Sequence, residues 1–157
     1  MRKTDKYLFF WHGFLSQWYM SDFSVAGRVY CCAEQFMMAE KARIFNDFHT
    51  FESIMATNNP KEQKALGRKV KGFNEELWNA KAKDIVFEGN YAKYSQNPGL
   101  KEKLIETAPL ILVEGSPYDR IWGIGLKWDD PRCNNPKDWK GKNWLGETLT
   151  KVRDSLK

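Results

Sequence analysis

One segment limits the possible folds of this chain more than any other. Residues 74–97, NEELWNAKAKDIVFEGNYAKYSQN, form its longest helical candidate. Asn74 is a favourable N-cap, and the turn residues Asn97, Pro98 and Gly99 end the segment. A helix of this length in a chain of 157 residues makes a mostly helical fold the expectation.

Similar signals predict five further helices. Asp47 caps one of them, which runs to about Ala56. The next begins at Asn59 and Pro60, and Glu62 completes a capping box with Asn59. It ends near Gly67. The other three predicted helices lie in AEQFMMAEKARIF, which begins at Ala33, in LKEKLIETA and in NWLGETLTKVRDSL.

Only short strands are predicted. YLFFW and LILVEG have the composition of short apolar strands, and FSVAGRVYCC that of a hairpin with Ala26 and Gly27 at its turn. No internal repeat or linker divides the chain. We therefore predict a single compact α+β domain over residues 1–157, mostly helical with a few short strands.

Membrane and secretory signals are missing from the sequence. The longest apolar runs, such as Ala108–Val113, are far shorter than the roughly 20 residues that span a bilayer. MRKTDKYLFFWHG lacks the long apolar segment and the cleavage site of a signal peptide. We therefore expect a cytoplasmic protein that does not bind membranes.

Metal sites and dedicated nucleic-acid sites are not expected. The three cysteines form no C-x-x-C pair, and the only histidines are His12 and His49. The acidic residues Asp129, Asp130 and Asp138 lack the spacing of a calcium loop. The net charge of +5 comes from lysines scattered among acidic residues, which is more typical of solvated helix surfaces than of a phosphate-binding groove.

The first predicted helix carries a polar pair on one face. Glu34 and Lys41 are seven residues apart, so they lie on the same side, about 10 Å apart along the axis. That separation is long for a salt bridge, yet both side chains can reach one ligand that lies along the helix. The alternative is that both are solvated charges beside a methionine-lined edge of the core.

The stretch YDRIWGIGLKWDD has the composition of a ligand-binding loop. Asp119 and Trp122 supply a carboxylate and an indole, and Gly123 and Gly125 allow backbone amides to approach a phosphate or a sugar closely. The alternative is a turn carboxylate beside a packed indole. Trp78 on the long helix also allows two interpretations, namely core packing or stacking on a planar ligand.

A further polar group lies at the start of the last helix. Gly141, Lys142 and Asn143 place a lysine and amide donors at a helix N-terminus, where anions bind. No G-x-x-x-x-G-K-[ST] motif accompanies them, so the sequence indicates only a possible phosphate-binding corner. Together these segments predict an aromatic pocket that contains carboxylates, without naming its reaction.

Four blocks of the sequence resemble one known family. FWHGFLSQWY, CAEQFMMAEKA, APLILVEGSPYDRIWGIGL and DWKGKNWLGETLTKVR are similar, in this order, to the YbiA-like proteins of the NADAR superfamily. The resemblance extends from about Phe9 to Arg153. It implies a mostly helical α+β fold and an N-glycosidase that requires neither a metal nor an organic cofactor.

The resemblance implies a substrate class as well. YbiA-like members cleave the ribosyl–amine bond of early riboflavin-pathway intermediates, releasing ribose 5-phosphate and an aminopyrimidine, and this is the function that we predict. Other NADAR proteins remove ADP-ribose from modified guanine in nucleic acid. A non-catalytic sensor of ADP-ribose or a related nucleotide is the third alternative. Nucleic acid is therefore expected only as a modified substrate.

The resemblance also assigns functional residues. Those of the family correspond here to Glu34, Lys41, Trp78, Asp119 and Trp122, with Ser16 and Trp18 of the FLSQWY block nearby. We expect three of them to be catalytic, with a lysine forming a transient imine and two carboxylates moving protons or stabilising charge: Lys41, Glu34 and Asp119. We expect seven residues to bind the substrate: Ser16, Trp18, Trp78, Trp122, Gly123, Lys142 and Asn143.

The chain departs from the family in one segment. Where the more compact riboflavin-pathway type has a short glycine-rich stretch, this chain has KWDDPRCNNPKDWK, residues 127–140. We expect this longer loop to reshape the entrance to the substrate pocket.

Overall fold

The computed structural model describes all 157 residues, Met1–Lys157. Its short strands are β1 (Arg2–Lys3), β2 (Tyr7–Phe10), β3 (Phe23–Val25), β4 (Arg28–Tyr30) and β5 (Ile111–Glu114). Its helices are α1 (Ala33–Ile44), α2 (Phe48–Met55), α3 (Pro60–Gly67), α4 (Glu75–Gln96), α5 (Pro98–Glu106) and α6 (Trp144–Leu156). The predicted α+β class, mostly helical with a few short strands, is confirmed, and all of the predicted helices are present.

The chain divides into two units. The first unit consists of Met1–Ser16 and Pro98–Lys157, and the second of Gln17–Asn97. Strands β3 and β4 and helices α1–α4 belong to the second unit, and the remaining elements to the first. None of the helices combines the length and the apolar composition that crossing a membrane requires.

Helix α1 is the central element of the second unit. It packs against α2, α3 and α4, and its residues 33–39 are all buried. A Cβ on Gly89 of α4 would lie only 2.5 Å from the ring of Phe36, so glycine allows α1 and α4 to approach closely. The predicted hairpin β3–β4 is confirmed, with positive φ at both Ala26 and Gly27.

Side-chain caps determine where three helices of this unit begin. The three predicted caps each accept a hydrogen bond from a first-turn amide, at 2.9–3.1 Å: Asp47, Asn59 and Asn74. The predicted capping box is wrong. Glu62 accepts a hydrogen bond from the Thr57 hydroxyl (2.5 Å), and the Asn59 amide donates to that same hydroxyl oxygen (3.2 Å), so it does not reach Glu62.

The first unit contains a three-stranded sheet in the order β1-β2-β5. Strands β1 and β2 are antiparallel, whereas β2 and β5 are parallel, with Tyr7 opposite Ile111 and Phe10 opposite Glu114. Helix α6 packs on β5. Gly146 lies so close to the Leu112 carbonyl oxygen that there is no room for a Cβ.

The loop at residues 127–140 contributes to the core of the first unit. Cys133 is fully buried in a cluster with Phe9, Val113, Ile124 and Leu126, and Trp128 and Trp139 pack against this cluster. The indole nitrogen of Trp139 donates a hydrogen bond to the Cys133 carbonyl (2.8 Å). The segment therefore extends the core, and its effect on the substrate entrance stays a prediction.

Candidate functional site

Helix α1 carries two of the predicted catalytic residues. Glu34 lies in its first turn and is only 6% exposed, at the helix end where the dipole favours a carboxylate. Its backbone amide donates a hydrogen bond to the Gln17 carbonyl (3.0 Å). Lys41 lies two turns further along and is half-buried. The negative charge of Glu34 raises the pKa of Lys41, so the two side chains are electrostatically coupled, as expected for residues on one face.

Aromatic rings contact the Lys41 ammonium group. Its Nζ lies 4.6 Å from the centroid of the Phe73 ring and 5.8 Å from that of Trp78, within the range of cation–π contacts. Phe45 packs edge-on against Phe73 at 5.5 Å between centroids. The structure thus brings Lys41 and Trp78 together. Phe73 is not among the residues predicted from the sequence, although an aromatic residue directly before the N-cap Asn74 is a usable signal.

The pKa of Lys41 is lowered from the usual value of a lysine. Burial is the largest cause, because it disfavours the charged ammonium form. The positive charge of Arg68 lowers the pKa further, whereas Glu34 raises it. A lowered pKa increases the population of the neutral amine, which is the form that attacks a carbonyl or imine carbon.

Lys93 of α4 is a second perturbed lysine in the same unit. Its side chain is 0% exposed, and burial lowers its pKa to about 7. Its Nζ lies 4.9 Å from the centroid of the Tyr94 ring and 5.5 Å from that of Tyr19. Because solvent does not reach this side chain, a substrate carbon does not reach its amine in this conformation. Lys41 is therefore the better candidate for a nucleophile.

The two predicted residues of the FLSQWY block belong to different units. Ser16 ends a turn of the first unit, where its amide donates to the Gly13 carbonyl (2.9 Å) and Gly13 has a φ of 86°. Trp18 belongs to the second unit and is 42% exposed. The substrate contacts of both residues stay predictions.

In the first unit, Asp119 stabilises the turn in which it lies. Its Oδ1 accepts hydrogen bonds from the amides of Ile121 (2.9 Å) and Trp122 (2.8 Å). Its carbonyl oxygen accepts one from the Gly125 amide (3.0 Å). The interpretation as a turn carboxylate therefore holds for Oδ1. The side chain is half-buried, and Oδ2 takes part in none of these bonds, so the predicted catalytic role falls to Oδ2.

Trp122 and Gly123 are packed within the same loop. The Trp122 indole meets the Trp144 indole edge-on at 5.5 Å between centroids. A Cβ on Gly123 would lie 3.0 Å from the Asp119 carbonyl oxygen and 3.1 Å from that of Glu114. Close chain packing is thus sufficient reason for a glycine at this position, and the substrate contacts of Trp122 and Gly123 stay predictions.

Asn143 joins this loop to β5 and α6. It is 2% exposed and adopts the left-handed conformation, with a φ of 55°. Its Oδ1 accepts a hydrogen bond from the Glu114 amide (3.0 Å), and its Nδ2 donates one to the Leu112 carbonyl (3.1 Å). The buried side chain of Asn143 thus has a structural role. Its contact with substrate stays a prediction.

The N-terminus of α6, predicted as an anion-binding corner, is occupied by the loop itself. The backbone amides of residues 142–145 donate to the carbonyls of residues 120–123 at 3.0–3.2 Å. These four amides are therefore not available to a ligand. The exposed Lys142 side chain lies with its Nζ 5.2 Å from the centroid of the Trp144 ring, and its role in substrate binding stays a prediction.

No group of three or more His, Cys, Asp or Glu side chains is arranged to hold a metal ion. The three cysteines are buried free thiols, and the Sγ atoms of Cys31 and Cys32 are 3.8 Å apart. The Asp130 carboxylate accepts hydrogen bonds from the Arg132 guanidinium, which holds its pKa at about 2.

The chain is similar to known proteins in both sequence and structure. The chain matches the NADAR domain family over residues 9–157. It is 43% identical over 167 residues to an N-glycosidase of Acanthamoeba polyphaga mimivirus, a match that covers 97% of each protein. The chloroplastic riboflavin biosynthesis protein PYRR of Zea mays is 30% identical over 109 residues, which cover 67% of this chain and 16% of PYRR. The solved structure of Escherichia coli YbiA matches with a TM-score of 0.80 at 26% identity, covering 99% of this chain and 87% of YbiA.

Proposed function

Since this chain belongs to the NADAR domain family, we propose that it is an N-glycosidase that hydrolyses the ribosyl–amine (C1′–N) bond of early riboflavin-pathway intermediates. The products would be ribose 5-phosphate and an aminopyrimidine. The general activity is supported by the mimiviral relative that is named an N-glycosidase. The substrate is supported by the relative named a riboflavin biosynthesis protein and by the YbiA-like blocks of the sequence.

One observation carries this proposal, namely the environment of Lys41. A half-buried amine with a lowered pKa lies within cation–π distance of the rings of Phe73 and Trp78, on the same helix as the buried Glu34. An amine in such a setting is suited to nucleophilic attack, and a carboxylate nearby is suited to proton transfer. The flat aromatic surfaces are suited to a planar pyrimidine.

The proposed reaction starts from the ring-opened imine form of the ribosylamine. The neutral amine of Lys41 adds to C1′, and its two protons move in turn to the departing nitrogen, the first as the new C–N bond forms and the second as the old one breaks, with Glu34 as the carrier. The bond from C1′ to the departing nitrogen breaks, the aminopyrimidine leaves, and an imine remains between Lys41 and C1′. Water then adds to C1′ and the lysine amine departs, which releases ribose 5-phosphate.

The other predicted residues complete the proposal. Asp119 is the third catalytic candidate, and its Oδ2 is the oxygen that would stabilise positive charge on the sugar or activate water. The remaining candidates are proposed to bind the substrate: Ser16, Trp18, Trp78, Trp122, Gly123, Lys142 and Asn143. The steps written above use no metal and no organic cofactor.

An assay on three substrates tests the function. Purified protein is incubated with a riboflavin-pathway ribosylaminopyrimidine phosphate, with DNA that carries ADP-ribosylated guanine, and with NAD. We expect release of ribose 5-phosphate from the first substrate only. Release no faster than the uncatalysed background would contradict the proposal. Turnover of the DNA adduct alone would favour the ADP-ribosylguanine hydrolase, and binding of ADP-ribose with no turnover of any substrate would indicate the sensor.

A further inference from the structure

The connection between α3 and α4 lies beside Lys41. At its start, Gly67 packs directly on Met38, one turn before Lys41 on α1, and leaves no room for a Cβ. At its end, the Phe73 ring lies over the Lys41 ammonium group at 4.6 Å. In between, the Lys71 amide donates a hydrogen bond to Asp47 Oδ2 (2.8 Å). Both ends of the connection are therefore anchored on α1 close to Lys41.

Arg68 is the first residue of this connection. It is exposed, and its side chain forms no hydrogen bond and no ion pair. Three other arginines have an acidic partner, in the pairs Arg43–Glu40 (2.7 Å), Arg132–Asp130 (2.8 Å) and Arg153–Asp154 (3.1 Å). The positive charge of Arg68 acts on Lys41 and lowers its pKa. The structure thus keeps an uncompensated guanidinium beside a half-buried amine.

Two positive charges repel each other in a partly desolvated setting; at Lys41 the Glu34 carboxylate outweighs this repulsion, whereas the Arg68 guanidinium has no anionic partner of its own. A bound dianion would relieve this repulsion. Guanidinium groups bind phosphate with two parallel hydrogen bonds, which are stronger than those between neutral groups. A phosphate is therefore the ligand that best matches Arg68.

We propose that Arg68 binds the phosphate group of the substrate whose C1′ carbon reacts with Lys41. This inference deepens the proposed function and rests on it for the identity of the substrate. Discrimination between phosphorylated and unphosphorylated sugars then depends on Arg68. The phosphate comes either from a sugar monophosphate or from the pyrophosphate of an ADP-ribosyl group, since the guanidinium chemistry is the same for both.

Binding measurements separate this inference from the catalytic proposal. Ribose 5-phosphate, ribose and ADP-ribose are titrated calorimetrically into wild-type protein, Arg68→Ala, Arg68→Lys and Lys69→Ala. Lys69 is the matched control, because it is an exposed cation of the same connection that does not act on Lys41. We expect the wild type and Lys69→Ala to bind ribose 5-phosphate at least about tenfold more tightly than ribose.

Arg68→Ala should lose most of the preference for ribose 5-phosphate over ribose and still bind ribose like the wild type. Arg68→Lys should retain part of it, because a lysine keeps the charge without the fork of donors. Tighter binding of ribose 5-phosphate than of ADP-ribose identifies the monophosphate as the source, and the reverse order identifies the pyrophosphate. Melting temperatures near that of the wild type show that the variants are folded.

Two results would overturn the inference. The first is a wild-type protein that does not distinguish ribose 5-phosphate from ribose, and the second is an Arg68→Ala variant with the full wild-type preference. Neither depends on turnover. If the ribosylaminopyrimidine is not hydrolysed but Arg68→Ala loses phosphate binding, the catalytic proposal fails and the phosphate site stands. If hydrolysis occurs and the preference is unchanged in Arg68→Ala, the catalytic proposal stands and the phosphate site fails.

Discussion

The two groups of candidate residues use their polar atoms differently. Around Lys41, the side-chain nitrogen contacts the faces of the Phe73 and Trp78 rings. In the loop of the first unit, the side-chain oxygens of Asp119 and Asn143 accept hydrogen bonds from backbone amides. The first arrangement surrounds the amine that we propose to react, whereas the second holds the chain in place.

The backbone explains this difference. A helix such as α1 satisfies its own peptide groups, so the polar side chains on its face are available to a ligand. An irregular loop lacks such bonds, and side chains such as Asp119 and Asn143 replace them. In this molecule, Lys41 on its helix is thus a more direct candidate for chemistry than Asp119 or Asn143 in the loop. Substitutions should accordingly affect turnover in the first region and stability in the second.

The largest effect is expected for Lys41→Arg. Arginine keeps the positive charge beside Phe73 and Trp78 but cannot form an imine. Turnover should therefore fall by about 10⁴-fold or more, as for the loss of a nucleophile in other enzymes, with a melting temperature within a few degrees of the wild type. Release of ribose 5-phosphate and thermal unfolding are the measurements.

Borohydride reduction during turnover checks the covalent step. The wild type should retain ribose phosphate on Lys41, found by peptide mass mapping, and Lys41→Arg should retain none. Normal turnover of Lys41→Arg would eliminate the imine route and leave direct attack by water. A label on Lys93 or Lys142 would keep the route but change the residue.

The next effect is expected for Glu34→Gln. The substitution keeps the volume of a buried side chain and removes its charge. Loss of a group that transfers a proton should reduce kcat by about 10²–10⁴-fold. Turnover and thermal unfolding are measured together. Wild-type turnover in a folded variant would mean that Glu34 has only a structural role.

The sequence predicts the local part of this structure well. The caps Asp47, Asn59 and Asn74 are recognisable because each acts on an amide two or three residues away. The hairpin turn at Ala26–Gly27 is equally local. In contrast, the parallel pairing of β2 with β5 joins distant parts of the chain, and nothing within either strand specifies its partner.

The same limit applies to the candidate site. The spacing of Glu34 and Lys41 along one helix is sufficient to place them on one face. Phe73 and Arg68 are absent from the sequence-based set because their position depends on the contact of Gly67 with Met38, which only the folded chain contains. Lys142 and Asn143 have the composition of an anion site. However, the backbone amides at this helix end donate to the carbonyls of residues 120–123, and the local sequence does not reveal these distant partners.

In the loop region, the largest loss of stability is expected for Asn143→Ala. The substitution removes the partner of the partly buried Glu114 amide and that of the buried Leu112 carbonyl. The free energy of unfolding should fall by about 3 kcal/mol, which lowers the melting temperature by roughly 6–12 °C. The exposed neighbour Lys142→Ala should change it by less than about 0.5 kcal/mol. Equal melting temperatures for the two variants would show that Asn143 does not anchor the loop.

A smaller effect on stability is expected at Asp119, where two variants separate its two oxygens. Asp119→Ala removes the acceptor for the amides of Ile121 and Trp122 and should cost about 1 kcal/mol. Asp119→Asn retains an oxygen at the Oδ1 position and should be nearly as stable as the wild type. If Oδ2 acts on the substrate, both variants lose activity equally. If only the turn matters, Asp119→Asn stays active, and the catalytic assignment is wrong.

The smallest effect concerns the pH at which Lys41 becomes reactive. Burial and the charge of Arg68 lower the pKa of Lys41, and Glu34 raises it. Arg68→Ala should therefore raise this pKa, so that the neutral amine appears only at higher pH. Glu34→Gln should lower it and move the same transition to lower pH. Because Arg68 is exposed, its contribution is screened by water and salt and should shrink as the ionic strength increases.

Borohydride trapping of ribose on Lys41, measured as a function of pH, detects this transition without turnover. Ribose carries no phosphate, so the loss of a phosphate site in Arg68→Ala does not affect the measurement. Lys69→Ala removes an equivalent charge from the same connection and should leave the pH midpoint of trapping unchanged. If the pH midpoint shifts in opposite directions in Arg68→Ala and Glu34→Gln, both charges act on the pKa of Lys41. A midpoint that neither substitution moves would mean that burial alone sets the reactivity of Lys41, and the contrast with the loop would then depend on packing rather than on charge.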